Sequence, residues 1–227
     1  MTAPQSYPAR LDGQLDSQTS RWLWLIKWLT VIPHVIVLIF LWIAAFLLTI
    51  VAGFAILFTT HYPRAIFDFN VGVMRWTWRV SFYAIGAFGT DRYPPFSLEP
   101  DPTYPAEFAV DYPEQLSRGL VLVKWWLLAI PQYLVVGFFA GGWGAGWDNG
   151  SWNGPGGGLI ALLAIIAAVV LLFTGRYPRS IFDFVMGLNR WCYRVFAYAA
   201  LMTDAYPPFR LDSGGRDPAA LPAPEPM

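Results

Sequence analysis

The sequence contains an internal duplication, and this feature constrains the fold more than any other. Residues 58–80 and 173–195 align at a constant offset of 115 residues and are identical at 14 of 23 positions. The match extends upstream and downstream, so the chain predicts two tandem repeats, residues 7–99 and 104–212. The remaining residues, 213–227, are rich in Pro and Ala and are predicted to be a disordered tail.

Long apolar segments predict that each repeat enters a membrane. Hydrophobic residues make up 56% of the chain and charged residues 13%, whereas a soluble domain needs more charge on its surface. Lys27 is the only charged residue between positions 22 and 60, a stretch long enough for two crossings of about 20 residues. In the second repeat, the Gly- and Trp-rich insertion 141–158 separates the apolar segments 119–140 and 159–174. We therefore predict a transmembrane helical hairpin in each repeat.

The charges and aromatic residues of the insertion orient these hairpins. The insertion contains Asp148 but no Lys or Arg, so the positive-inside rule places it outside the cell and both termini in the cytoplasm. Trp143, Trp147 and Trp152 would then lie at the outer membrane–water interface. The sequence thus predicts a multi-pass protein of the inner (plasma) membrane.

A rival topology fits the first repeat, because no Gly, Pro or Asn marks a turn between positions 40 and 45. In that topology residues 20–32 form a surface helix that ends at Pro33, and residues 34–60 form one tilted span. A single crossing per repeat would make the two repeats inverted, as in many transporters.

The segment that follows the spans, residues 67–88 in the first repeat, is predicted to be an amphipathic helix. One stripe of this helix, spaced i, i+4, i+7 and i+11, carries Asp, Gly, Arg and Arg in both repeats. Arginine is costly inside a bilayer, so we expect the helix to lie in the interface with its guanidinium groups toward lipid phosphate. The candidate lipid- or partner-binding residues are Arg64, Asp68, Arg75, Arg79, Arg179, Asp183, Arg190 and Arg194. Alternatively, the two aspartates pair with arginines of the same or the other repeat and hold the units together.

Four short segments with alternating apolar and polar residues lie beside Tyr-Pro motifs and predict strands. These segments are residues 9–12, 96–98, 107–110 and 209–212. We expect a small cytoplasmic sheet in which the ends of the two repeats pair. The predicted fold is an all-α membrane protein with two tandem repeats, each a transmembrane helical hairpin plus an amphipathic interfacial helix, with short cytoplasmic β-segments.

The motifs of common active sites are missing from the sequence. Cys192 is the only cysteine, which excludes an intrachain disulfide and a thiolate metal cluster. His34 and His61 are the only histidines, and Gln132 replaces His34 in the second repeat, which disfavours a pair of haem ligands. No metalloprotease motif or phosphate-binding loop is present. We therefore predict no catalytic residue, metal or cofactor, and the net charge of zero gives no reason to expect nucleic acid.

The most distinctive segments of the second repeat are SRGLVLVKWWLLAIP, residues 117–131, and RYPRSIFDFVMGLNRWCYRVFAYAALMTDAYPPF, residues 176–209. Together with their first-repeat copies they closely resemble a bacterial membrane-protein family known as a domain of unknown function. The resemblance implies two such repeats and covers nearly the whole chain except the tail and the insertion, but it implies no activity.

The expected function is that of a non-enzymatic scaffold or accessory subunit of a membrane complex. Its basic interfacial helices would contact anionic lipids or a partner, through other membrane-protein subunits or self-association. A small transporter or channel with its site between the repeats is one alternative, although the spans carry few polar groups to line a path. A lipid-modifying enzyme that uses Asp68 or Asp183 as a base is another.

Overall fold

The computed structural model describes most of the chain and consists mainly of helices. The described residues are 7–16, 19–84, 86–141, 146–148, 151–153, 158–212, 214 and 217. In chain order the elements are β1 (Ala9–Gly13), α1 (Trp24–Thr30), α2 (Ile32–Thr59), α3 (Arg64–Tyr83), β2 (Ala106–Val110), α4 (Arg118–Val123), a π-helical turn (Lys124–Leu128), α5 (Ile130–Ala140), β3 (Gly146–Asp148), β4 (Ser151–Asn153), α6 (Leu159–Thr174) and α7 (Arg179–Ala199).

The two repeats are joined by an antiparallel pair of strands, one from each repeat. Leu11 of β1 lies opposite Phe108 of β2, and these two residues occupy the same position of their repeats, 97 residues apart. At one end of the pair Ala9 lies opposite Val110, and at the other end Gly13 lies opposite Ala106. These two pairs are equivalent, because Ala9 corresponds to Ala106 and Gly13 to Val110 in the repeat. The pairing therefore has the pattern of a two-fold axis between the repeats. The predicted pairing of repeat ends is correct for these strands, whereas residues 96–98 and 209–212 are not strands.

Helices α3 and α7 form the centre of the protein, and each packs on the strand of the other repeat. Helix α3 contacts β2, and α7 contacts β1. Trp78, Phe82, Phe182 and Met186 are among the core residues that the two helices contribute. Each repeat thus completes its core with a strand that belongs to its neighbour.

The hairpin predicted for the first repeat is not present, because α2 continues without a break from Ile32 to Thr59. Its 28 residues give a length of about 42 Å. The region 40–45 contains no helix-breaking residue, so nothing interrupts the backbone hydrogen bonds there. The elements instead resemble the rival division, with a short helix α1 that ends at Thr30 and one long helix that has Pro33 in its first turn.

The second repeat has two shorter helices, α5 and α6, where the first repeat has α2. By sequence, α5 and α6 match the two ends of α2, and the insertion 141–158 separates them. A side-chain carbon placed on Gly158 would lie 2.5 Å from the carbonyl carbon of Ala140, so the ends of the two helices are in contact. The residues on the two sides of the insertion are therefore adjacent in space.

The π-helical turn accommodates one residue that the second repeat has in addition to those of the first. Six positions separate Lys27 from Pro33, but seven separate Lys124 from Pro131. The backbone N–H of Ala129 donates to the carbonyl of Lys124, five residues before it, at 3.0 Å, which is the hydrogen bond of a π-helix. The extra residue is thus absorbed in one wide turn, and α4 with this turn meets α5 at an angle of 48°.

Helix α2 is long and apolar enough to cross a membrane, and the bent pair of Arg118–Leu128 with Ile130–Ala140 meets the same criteria as one broken span. Helix α6 is apolar but shorter. Only 17% of the most apolar stretch of α2 is buried inside the protein, whereas the core helix of a soluble protein is mostly buried. Most of its Ile, Leu, Val and Phe side chains therefore face outward.

Several sequence predictions concern residues outside the described part of the chain. Trp143 and most of the tail 213–227 lie outside it, and of Trp147 and Trp152 only the paired backbone of β3 and β4 is described. Asp217, which belongs to the predicted tail, is described and is 1% exposed.

Candidate functional site: the buried arginines between the repeats

Four of the predicted site residues lie inside the protein and not at its surface. The exposed fractions of Arg75, Arg79, Arg190 and Arg194 are 8%, 0%, 1% and 2%. The expected orientation toward lipid phosphate is therefore corrected for these four, because their guanidinium groups face the strands and loops of the protein. The predicted stripe does not face a single environment, because its glycines and arginines are buried inside the protein whereas the side chain of Asp68 is 57% exposed.

In the first repeat, the two arginines bind groups that follow the helix in sequence. Arg75 donates through Nε to the carbonyl of Phe108 at 2.9 Å and through Nη1 to the carbonyl of Leu98 at 2.8 Å. The carboxylate of Glu107 forms ion pairs with both arginines, including a 2.8 Å contact to Nη2 of Arg79. Phe108 and Glu107 are on β2, so the first-repeat helix is bonded to the second-repeat strand.

The second repeat reciprocates the bond to the strand but takes its carboxylates from residues that follow α7. Arg190 donates through Nε to the carbonyl of Leu11 on β1 at 3.0 Å and through Nη1 to the carbonyl of Asp212 at 2.6 Å. Arg194 forms ion pairs with Asp212 at 2.5 Å and Asp217 at 3.0 Å. Burial lowers the pKa of Arg190, and the nearby carboxylates of Asp217 and Asp12 oppose that shift. Arginine has a very high intrinsic pKa, so it remains charged here.

The glycine in each stripe permits this close packing. A side-chain carbon at Gly72 would lie 2.8 Å from Cβ of Leu98, and one at Gly187 would lie 3.3 Å from the carbonyl oxygen of Asp212. These are the segments whose carbonyls accept from Arg75 and Arg190. Glycine therefore allows the post-helix segment to reach the arginines.

The other predicted site residues are at the surface. Arg64 pairs with Asp68 at 3.1 Å, and the two side chains are 66% and 57% exposed. Asp68 thus pairs with an arginine of its own repeat, as the alternative expected, but this exposed contact within one helix does not hold the two units together. Arg179 is exposed and Asp183 is half-buried.

Two buried lysines were not identified as partners from the sequence. Lys27 binds Asp91 at 2.8 Å, and Lys124 binds Asp204 at the same distance. The same aspartates accept from the backbone N–H groups at the entrances to α1 and α4, namely those of Ser20 and Ser117. The lysine and the aspartate are both present at equivalent positions of the two repeats. This joint repetition is the sequence signal from which the pairing could have been predicted.

Gln132 of the second repeat accepts the same hydrogen bond as His34 of the first. The indole N–H of Trp76 donates to Nδ1 of His34 at 3.0 Å, and that of Trp191 donates to Oε1 of Gln132 at 2.6 Å. Both residues therefore act as acceptors for equivalent tryptophans, which is a structural role.

Among the described residues, no group of three or more His, Cys, Asp or Glu side chains could hold a metal ion. Burial raises the pKa of the Cys192 thiol to about 12, so little nucleophilic thiolate exists at neutral pH. The arginine cluster itself joins the repeats, since Arg75 binds the carbonyl of Phe108 and Arg190 binds that of Leu11.

The chain belongs to a family described as a domain of unknown function (DUF4389), whose model matches residues 21–97 and 156–210. The two matched regions fall in the two repeats, and each contains an apolar helix followed by the arginine-bearing helix. No curated protein matches the chain, and no solved structure matches it.

The ion pairs of Glu107 with the buried arginines should contribute to the free energy of unfolding. Replacing Glu107 by Ala leaves two buried guanidinium groups without their shared carboxylate, which should cost about 3 kcal/mol. Asp111→Ala is the matched control, because that side chain is 53% exposed and pairs with Arg10 beyond the same strand, so its loss should cost under about 1 kcal/mol. Thermal unfolding of the purified protein in detergent measures both. Equal effects of the two replacements would contradict the proposed role of Glu107.

Proposed function

We propose that this chain is a non-enzymatic integral membrane protein that serves as a scaffold or accessory subunit of a membrane complex. The observation that carries this proposal is the outward-facing apolar surface of α2. The buried lysines and arginines, by contrast, form ion pairs with carboxylates of the same chain. The partners proposed are membrane lipids and other membrane-protein subunits or a second copy of the chain.

The exposed apolar surface supports the membrane part of the proposal. Phe40, Leu47 and Phe58 along α2 are 68%, 57% and 73% exposed, and Phe173 at the end of α6 is 79% exposed. A continuous apolar surface of this length is unfavourable in water and is matched by the acyl region of a bilayer. Trp22 and Trp28, which flank this surface, are 65% and 61% exposed, as expected for side chains at a membrane interface.

The exposed arginines support contact with anionic headgroups. Nη2 of Arg118 donates to the carbonyl of Phe58, near the end of α2, at 3.1 Å, and Arg21 lies against Gly175 at the end of α6. Arg64 and Arg179 begin the next helices. Basic side chains therefore gather where the apolar helices end, which is the depth of lipid phosphates in the proposed arrangement.

The membrane placement is tested by putting charge on the outer face of α2. The double replacement Ile43→Arg and Leu47→Arg changes two side chains that are 54% and 57% exposed. In a bilayer each arginine should cost about 3 kcal/mol, so less protein should remain in the membrane pellet after alkaline extraction. Glu114→Arg, in an exposed loop, is the control and should leave the pellet fraction unchanged. If α2 faces water, the parent protein itself should be released into the supernatant by alkaline extraction, and the double variant should be released to the same extent.

The headgroup contact is tested at the exposed arginines alone. Arg64→Gln with Arg179→Gln removes two surface charges, so the protein should retain less phosphatidylglycerol relative to phosphatidylcholine during purification in mild detergent. Native mass spectrometry measures this ratio. The charge-preserving pair Arg64→Lys and Arg179→Lys should retain the parental ratio, and an unchanged ratio in the Gln variant would remove lipid binding from these residues.

A further inference from the structure

The apolar helices of the two repeats form two runs, α1–α2 and α4–α6, that point in opposite directions. Arg118, which begins α4, donates to the carbonyl of Phe58 at the end of α2. Arg21, which precedes α1, lies against Gly175 at the end of α6. The end of each run therefore lies beside the start of the other. If both runs crossed a membrane, their two ends would lie on opposite sides of it.

Helices α3 and α7 separate these apolar runs from the strands. Helix α3 contacts both α2 and β2, and α7 contacts both α6 and β1. Asn70 of α3 donates to the hydroxyl of Thr49 on α2 at 3.0 Å. The hydroxyl of Tyr83, at the end of α3, lies 3.1 Å from that of Thr30, just before α2. Arg75, between Asn70 and Tyr83, binds β2, so the strands lie beside the middle of the first run and not beside one of its ends.

The strand side of the protein is polar and charged. Arg10 of β1 pairs with Asp111, which follows β2, and the two side chains are 29% and 53% exposed. Glu99 is exposed, and its carbonyl accepts from Arg79 in the second half of α3. If the first run crossed a bilayer, these exposed charges would lie at the depth of the acyl chains, where a charged side chain is costly.

The position of the insertion also disfavours a crossing. Residues 141–158 leave the second run between α5 and α6, and therefore between its two ends. The insertion contains Asp148 and is rich in Gly and Asn. Such a segment is unfavourable in the acyl region, because lipid supplies no partners for charges or for backbone polar groups. A crossing run would attach the insertion at that depth.

Basic residues are present at both ends of the runs. Arg64 follows α2 and Arg118 lies against its end, whereas Arg179 follows α6 and Arg21 lies against its end. A crossing would put one pair of arginines on each side of the membrane, although Lys and Arg near membrane segments are found mainly on the cytoplasmic side. Both pairs can be cytoplasmic only if the runs do not cross.

The outer side of both runs is apolar. Leu47 on α2, Phe138 on α5 and Leu162 on α6 are 57%, 65% and 54% exposed. Helix α2 is about 42 Å long, which exceeds the hydrocarbon thickness of about 30 Å. A helix is about 10 Å wide, which is comparable to the depth of about 5–10 Å that helices lying in the interface reach. The protein therefore has one side that matches lipid and an opposite side that matches water.

We infer that the two apolar runs lie in the plane of the cytoplasmic leaflet and do not cross the membrane. The acyl region of this one leaflet is the partner of their outer side, and the strands face the cytoplasm. The exposed charges of the strand side then stay in water, and both pairs of arginines lie at the headgroups. This inference rests on the proposed membrane function and narrows it to insertion into a single leaflet.

The accessibility of the two helix ends tests this inference. His61 and Arg176 are exposed, follow α2 and α6, and occupy equivalent positions of the repeats. His61→Cys and Arg176→Cys are made singly together with Cys192→Ala, so that each variant has one cysteine. A membrane-impermeant maleimide should label neither variant in intact spheroplasts and both after lysis. Labelling of one variant but not the other in intact spheroplasts would overturn the inference.

Two further positions test which side of the protein enters the lipid. Gln14, next to β1, is exposed on the strand side, so Gln14→Cys should be labelled after lysis as fully as the helix ends. Leu47→Cys, on the outer side of α2, should be labelled only after the membrane is dissolved in denaturing detergent. Cys192→Ala alone is the control and should stay unlabelled throughout. Protection of Gln14→Cys until detergent is added would place the strands in lipid and contradict the inference.

The depth of spin labels along α2 gives an independent measurement. Ile36, Leu47 and Phe58 are 53%, 57% and 73% exposed, and each is replaced by a labelled cysteine in protein reconstituted into phosphatidylglycerol-containing vesicles. Relaxation by oxygen and by a nickel chelate should report similar depths for all three. A crossing helix would instead place Leu47 deeper than either end, by on the order of 16 Å, and that result would refute in-plane insertion.

The inference and the proposed function can fail separately. Release of the parent protein by alkaline extraction would contradict the membrane function itself. Retention in the membrane pellet, combined with labelling of His61→Cys and Arg176→Cys from opposite sides, would contradict only the placement in one leaflet.

Discussion

The structure depends on four arginines that are buried between two copies of the same unit. An unpaired guanidinium group inside a protein is very costly, so the stripe on α3 and α7 can be buried only where carbonyls and carboxylates surround it. Arg75 and Arg190 obtain two of these acceptors from strands of the opposite repeat, at Phe108 and Leu11. Neither repeat alone provides them. The exchange of strands and the burial of the arginines therefore require one another.

The duplication, a helix over most of α3 and the strands β1 and β2 could be predicted from the sequence, because each of these leaves a local pattern that occurs twice, although α3 covers Arg64–Tyr83 and not the predicted 67–88. The environment of the arginines was predicted poorly. The acceptors of Arg190 include a carbonyl at Leu11, which is far away in sequence, and a backbone carbonyl has no residue identity to detect. An amphipathic helix with arginine on one face has the same sequence pattern whether that face meets water, lipid phosphate or a polar interior.

The differences between the repeats are as informative as their similarity. The insertion and the π-helical turn of the second repeat lengthen the chain locally while Gln132 keeps the hydrogen bond that His34 makes. These changes preserve the packing of the arginine-bearing helices. At Thr49 and Asn70, by contrast, the second repeat has the apolar residues Ala164 and Val185, so the hydrogen bond between the two first-repeat side chains has no counterpart there.

Native-state hydrogen exchange tests most directly whether the two repeats form a single cooperative unit. If the exchanged strands and buried arginines join the repeats, the slowest amides of α3, α7, β1 and β2 should open with one common free energy. That value should equal the free energy of global unfolding measured on the same sample. Two distinct opening energies, one for the amides of α3 and another for those of α7, would show that the repeats open separately and would contradict the account.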